Sequence, residues 1–181
     1  MIDIKALIDE SLAAGFSQAG ELNCEALEFM PEVRDMCAAD RCHHYGKNWA
    51  CPPGCGSIED AAKKASLYSS GIIVQTIGRL EDDFDWDSIQ ATGAKHNEPF
   101  KNFTAFLRKR TPNILPMGSG PCTVCPTCTY PDAPCRFPEL VMPSMEAYGL
   151  FVSNVCTSSG VPYNNGPQSI TFTSCYLIDM D

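Results

Sequence analysis

Eight of the eleven cysteines in this 181-residue chain crowd into two short segments rich in proline and glycine. Cys122, Cys125, Cys128 and Cys135 follow the spacing C-x2-C-x2-C-x6-C within GPCTVCPTCTYPDAPCRFPE. Two residues between cysteines let a tight turn aim both sulfurs at one centre, and a third cysteine at the same interval wraps a third corner. Three thiolates so placed suit a cubane iron–sulfur cluster, whose iron corners lie close together. Tetrahedral zinc more often draws on two separated pairs of ligands. Pro121, Pro126, Pro131, Pro134 and Pro138 narrow the unfolded ensemble of this segment and help preorganise it.

The three-cysteine core matches the bacterial ferredoxin run, but the last spacing does not. Arg136 follows Cys135 where that run has proline. Cys135 therefore stands as a ligand of this cluster or of a neighbouring one. The other segment contains RCHHYGKNWACPPGCG and the spacing Cys37-x4-Cys42-x8-Cys51-x3-Cys55. Pro52 and Pro53 force an extended exit, and Gly46, Gly54 and Gly56 allow close backbone approach. These four thiols form a second candidate metal site, with Cys24, Cys135, Cys156 or Cys175 as substitutes should one not ligate.

His43 and His44 lie inside this segment, and histidine replaces cysteine in Rieske centres. Neighbouring side chains on extended backbone point opposite ways, so both are expected beside a metal or on the surface. Tyr45 and Trp49 are expected to shield the site from water. Cys24, Cys156 and Cys175 read as small buried hydrophobes. His96, in a polar helical segment, is expected to be exposed, and Arg136, Glu139 and Glu146 are read as surface groups.

The N-terminal stretch MIDIKALIDESLAAGF carries three acidic residues and no uninterrupted apolar run, unlike a signal peptide. No segment approaches the length of a membrane span. A cytoplasmic protein with reduced thiols follows, and the odd cysteine count disfavours a disulfide framework. The net charge of −9 argues against nucleic acid as a partner. The basic triplet at 108–110 fits the C-terminal end of a helix, and the acidic run at 81–87 fits a solvated loop entering one.

Apolar periodicity predicts helices over 3–14, from 58 to Gly71 with Ser57 as cap, and over 86–110, the last broken by Gly93 and Pro99. Ser144 is expected to cap a brief helix through Tyr148. Strands are predicted at 26–30, 71–78, 113–117, 150–155 and 170–178, with an irregular loop at 158–167. The sum is a mixed α/β fold, one domain over 1–181, built as an α/β sandwich with two cysteine-rich cluster-binding loops.

The segments VRDMCAADRCHHYGKNWACPPGCG, GSGPCTVCPTCTYPDAPCRFPE and PSMEAYGLFV together resemble a cysteine-rich family of predicted metal-binding proteins of unknown function. The resemblance covers 33–152 and implies metal binding, iron–sulfur in kind; it supplies no reaction. The expectation is a protein with two [4Fe–4S] clusters, held by Cys37, Cys42, Cys51 and Cys55 and by Cys122, Cys125, Cys128 and Cys135. It would pass electrons to or from a redox partner with a basic docking surface, in a setting such as anaerobic metabolism. One cluster alone, an enzyme using an open iron corner, and a structural zinc module that binds another protein are the alternatives.

Overall fold

A computed structural model describes residues 3–179, so the outermost two residues at each end of the expected 1–181 domain lie outside the described residues. In chain order come α1 (Ile4–Ala13), β1 (Gln18–Glu21), α2 (Pro31–Ala38), α3 (Ile58–Ala65), β2 (Ser70–Arg79), α4 (Trp86–Arg110), β3 (Ile114–Met117), α5 (Val152–Ser158) and β4 (Ser169–Ile178). Single 3-10 turns at Cys24–Ala26, Pro138–Leu140 and Glu146–Tyr148 punctuate the loops. The sheet is antiparallel throughout, in the order β1-β2-β4-β3. β2 and β4 pair along their whole length, from Ser70 opposite Ile178 to Arg79 opposite Ser169.

Alternation along these two central strands divides the core. Ile72, Val74, Tyr176 and Ile178 face Leu7 of α1 and Phe100, Phe103 and Leu107 of α4. Ile73, Cys175 and Leu177 face the opposite way, onto Ala61 and Ala65 of α3 and Val155 and Cys156 of α5. Helices thus cover both faces, and the fold is the α/β sandwich expected. The cysteine segments lie on the side of the second layer, where Cys55 packs against its apolar cluster.

The caps follow local chemistry. Ser57 and Asp60 form a reciprocal capping box at the start of α3, and Asp85 accepts from the Ser88 amide at the start of α4. Because α3 begins directly after Cys55, its cap also anchors the end of the first cysteine segment. Ser57→Ala is expected to lower stability by about 1 kcal/mol, measurable as a fall in the denaturation midpoint with no change in transition slope. The basic triplet does close α4, where Arg110 pairs with Glu10 and lies over the Phe106 ring.

β1 has no counterpart among the expected elements, and α3 ends at Ala65, short of the expected Gly71; three further elements and one side chain also differ from expectation. Residues 26–30 form no strand; Phe29 makes one isolated bridge to Leu150, and Pro31, expected to end a strand, occupies the first turn of α2. A missing amide costs nothing there. Residues 150–155 carry strand-type side chains, yet α5 starts at Val152. Val152, Val155 and Cys156 fall at helical spacing, and burial of Val155 and Cys156 outweighs β propensity. α4 is one continuous helix despite Gly93 and Pro99. Gly93 serves contact there: a Cβ at that position would come 3.1 Å from the Phe172 ring. His96 is fully buried, as its partners below explain.

Candidate metal centre

α2 carries the first thiol. Cys37 sits in its last turn rather than in a loop. Beyond Ala39 the chain reverses through positive φ at Asp40 and His43, and the Asp40 carboxylate accepts from the Tyr45 amide at 2.9 Å. The Gly46 amide donates to the Pro52 carbonyl at 2.8 Å and closes the segment into a compact loop. Within it, buried Asn48 accepts from the Ala50 amide at 3.0 Å. The second loop leaves β3 through Gly118 and Gly120. Thr129 donates to the Pro134 carbonyl at 2.9 Å, and Arg136 donates to the Thr127 carbonyl at 2.9 Å. Lys101 of α4 ties the loop back to the fold by donating to Thr123 at 3.1 Å.

The two loops pack on each other. The Trp49 and Tyr130 rings meet edge to face, 4.9 Å between centroids at 86°, and Trp49 Nε1 donates to the Ala133 carbonyl at 3.2 Å. Gly54 is required at this contact: a Cβ would lie 2.5 Å from the Asn48 carbonyl oxygen and 3.0 Å from the Tyr130 ring. Trp49 and Tyr45 are half-buried, and Trp49 forms part of the wall between the loops.

All eleven cysteines are free thiols. Cys37, Cys42 and Cys51 line one cavity of about 350 Å3. Its remaining wall includes Val33 and Met36 of α2, Phe151, and the polar pair Arg41 and Glu146. Cys55 faces elsewhere. Its Sγ donates to the Ala147 carbonyl at 3.4 Å, and with Cys135, Trp49, Lys64 and Tyr148 it lines a second cavity of about 370 Å3. Cys122 lines a third, smaller cleft with Gly120 and Val124.

Electrostatics trace which thiols are neighbours. Burial first, and then Cys128, Cys135 and Cys125, hold the Cys122 thiol above its ordinary value. The Cys37 thiol is pushed up to about 11 by burial, with Glu146, Cys42 and Cys51 adding to it. Burial also raises Cys51, which feels Cys42 and Cys55 and, across the loop boundary, Cys122. The first loop thus groups Cys37, Cys42 and Cys51, with Cys55 in reach of Cys51, the second groups its own four thiols, and Cys51 adjoins both. Metal binding would have to release the protons these raised thiols retain.

Among the described residues no three His, Cys, Asp or Glu side chains close around the position of a single ion. A cubane asks something different, since it offers each corner to a separate sulfur. Arg34 supplies a further test of fit. One turn before Cys37 on α2, its Nη2 donates to the Gly56 carbonyl at 2.8 Å, while its Nε is buried with no hydrogen-bond partner. Its charge acts to lower both the Cys37 and the Cys55 thiol. A buried, unpaired donor beside two thiols suits a group rich in sulfur and negative charge. The thiol chemistry and this donor fit an iron–sulfur cluster.

The side chains read as bystanders divide. His43 is exposed and its carbonyl accepts from Lys47 Nζ at 2.8 Å; His44 is half-buried, and neither lines the three-thiol cavity. Cys156 and Cys175 are fully buried in the core and Cys24 packs against it. Arg136 and Glu139 are exposed. Glu146 is exposed, as expected of a surface group, and it also lines the three-thiol cavity. Desolvation by the protein around it raises its carboxyl, opposed by hydrogen bonds from its own amide and the Ser144 hydroxyl. The sequence carried a signal for both missed residues. Arg34 stands three before Cys37 on one helix face, and Glu146 sits within PSMEAYGLFV.

No helix of the described residues is long and apolar enough to cross a membrane. No curated protein and no solved structure matches the chain. The model of the DUF2284 family, described as a predicted metal-binding protein, matches residues 20–178, a span that takes in both thiol-rich loops, every wall of the three cavities and the whole of β2, β3 and β4. The chain therefore belongs to this family of predicted metal-binding proteins.

Proposed function

We propose that the metal is iron in two [4Fe–4S] clusters and that the protein passes electrons in the cytoplasm. One cluster would rest on the first loop, and the other on Cys122, Cys125, Cys128 and Cys135. The observation that carries this reading is the mutual packing of the loops, which brings Cys51 within electrostatic reach of Cys122. When bound, such clusters supply one-electron redox chemistry. The protein's part is to hold the thiols, exclude water with Trp49 and Tyr130, and tune potential through Arg34 and the loop amides. A net charge of −9 supports docking to a redox partner with a basic surface. Anaerobic metabolism is a setting in which exposed clusters would survive.

The test is anoxic purification followed by measurement of iron, zinc and acid-labile sulfide. About eight iron and eight sulfide per chain are expected, with paramagnetic resonance signals that appear on reduction and broaden when both clusters are reduced side by side. Zinc without sulfide would reject the reading, and clusters that stay silent at every accessible potential would reject electron transfer. A second reading, an enzyme working at an open iron, has one specific support: the three-thiol cavity has an apolar wall of Val33, Met36 and Phe151 and the volume of a small ligand site.

A further inference from the structure

We infer that the Glu146 carboxylate is the fourth ligand of the first cluster, completing the set Cys37, Cys42 and Cys51 in place of Cys55. The inference rests on the iron–sulfur reading above and concerns which side chain holds the last iron.

A cubane bound by the first loop needs four donors facing one space. Cys37, Cys42 and Cys51 share a cavity, and Glu146 is the acidic side chain in its wall. The fourth thiol of the loop, though in electrostatic reach of Cys51, lines a different cavity. Cys37 and Glu146 also adjoin through the backbone, since Cys37 Sγ approaches the Glu146 carbonyl oxygen at 3.8 Å.

The backbone that carries the carboxylate is held in position. Glu146 follows Met145, which is fully buried, and it begins the 3-10 turn Glu146–Tyr148, whose next two residues are buried in turn. The Ser144 hydroxyl accepts from the Ala147 amide at 3.1 Å and fixes this turn. Any proton on the carboxyl leaves on coordination, and three thiolates with one carboxylate keep the charge of a four-thiolate set. An oxygen ligand binds iron of a cluster less firmly than thiolate does. An iron held by Glu146 would thus be the exchangeable corner, in a cavity whose wall also carries Val33, Met36 and Phe151.

The test compares Glu146→Gln, Glu146→Cys and Cys55→Ala with the wild type, each purified anoxically with iron-57. The wild type is expected to show one iron with a distinct Mössbauer signature in one of two clusters. Glu146→Gln should lose about one iron per chain from that cluster, leaving a three-iron species, with the signal of the other cluster unmoved. Glu146→Cys should restore the full iron content with four equivalent sulfur-ligated sites. Cys55→Ala should leave the spectrum of the first cluster unchanged. Loss of the first cluster in Cys55→Ala, with an unaltered Glu146→Gln spectrum, would overturn the assignment. A wild type without iron and sulfide would instead defeat the iron–sulfur reading itself.

Discussion

Replacing Cys125 by alanine is expected to halve the inorganic content of the protein, from about eight iron and eight sulfide per chain to about four of each. Cys37→Ala should do the same from the other side. The two residues belong to separate thiol groups: Cys37 adjoins Cys42 and Cys51, whereas Cys125 adjoins Cys122. Both side chains are half-buried and neither is part of the sheet core, so removing one sulfur costs packing little. What it removes is a corner ligand, and an iron left without one is lost in exchange with solvent. The contact between the loops does not depend on either cysteine, because Trp49 meets Tyr130 and Ala133 through ring and hydrogen bond. The remaining cluster should therefore keep its resonance signal, now without broadening from its neighbour. Paired metal and sulfide analysis with resonance spectra on the two variants checks this. Complete loss in both would mean one shared cluster bound across the loop boundary, and unchanged content would free these cysteines from any ligand role.

The antiparallel core was legible because its two central strands are written in the alphabet of buried strands, GIIVQTIG and ITFTSCYLI. The cap at Ser57 was legible because a short polar side chain before a helical run has one local use, whereas Asp85 lay hidden in an acidic run that reads as a solvated loop. Where the reading failed, tertiary contact decided. Gly93 and Pro99 look like breaks, but α4 spans the sheet and its aromatic face pays for the lost amide; a Phe172 ring fills the space a side chain at 93 would take. The run at 150–155 satisfies both periods, and only the depth of Cys156 in the second core tells helix from strand. At the candidate site the cysteines announced themselves by spacing. Their division among cavities did not, because Cys55 lines a different cavity from Cys37, Cys42 and Cys51, and Glu146 reaches the three-thiol cavity from a segment nearly a hundred residues later in the chain.

Acid should destabilise this protein through His96 more than through any other single histidine. The ring is fully buried, with Nδ1 3.0 Å from Thr76 Oγ1 and Nε2 2.7 Å from Ser174 Oγ, and it sits among Phe16, Phe100 and Phe172. Both contacts are to hydroxyls, which can donate or accept, so the neutral ring is satisfied in either tautomer. The charged ring finds no carboxylate, and burial lowers its pKa to about 4. The unfolded chain keeps an ordinary histidine value near 6.5. Because the folded value is the lower one, the unfolded state binds the proton first as pH falls. The stability from this residue is whole above the unfolded value and drains away between there and about pH 4, below which the folded state also carries the proton. From about pH 8 to about pH 5 the loss is about 2 kcal/mol. Denaturant midpoints of the wild type and His96→Phe across that range provide the measurement, with the difference at each pH cancelling the carboxylates and any acid lability of a cofactor. At the alkaline end the variant should be the weaker by about 1–3 kcal/mol, since Thr76 and Ser174 lose their shared partner. Toward acid the two midpoints should converge. Parallel curves would mean that His96 keeps an ordinary pKa, which a ring enclosed by a sheet and three aromatic side chains could do only if the core admitted water to it.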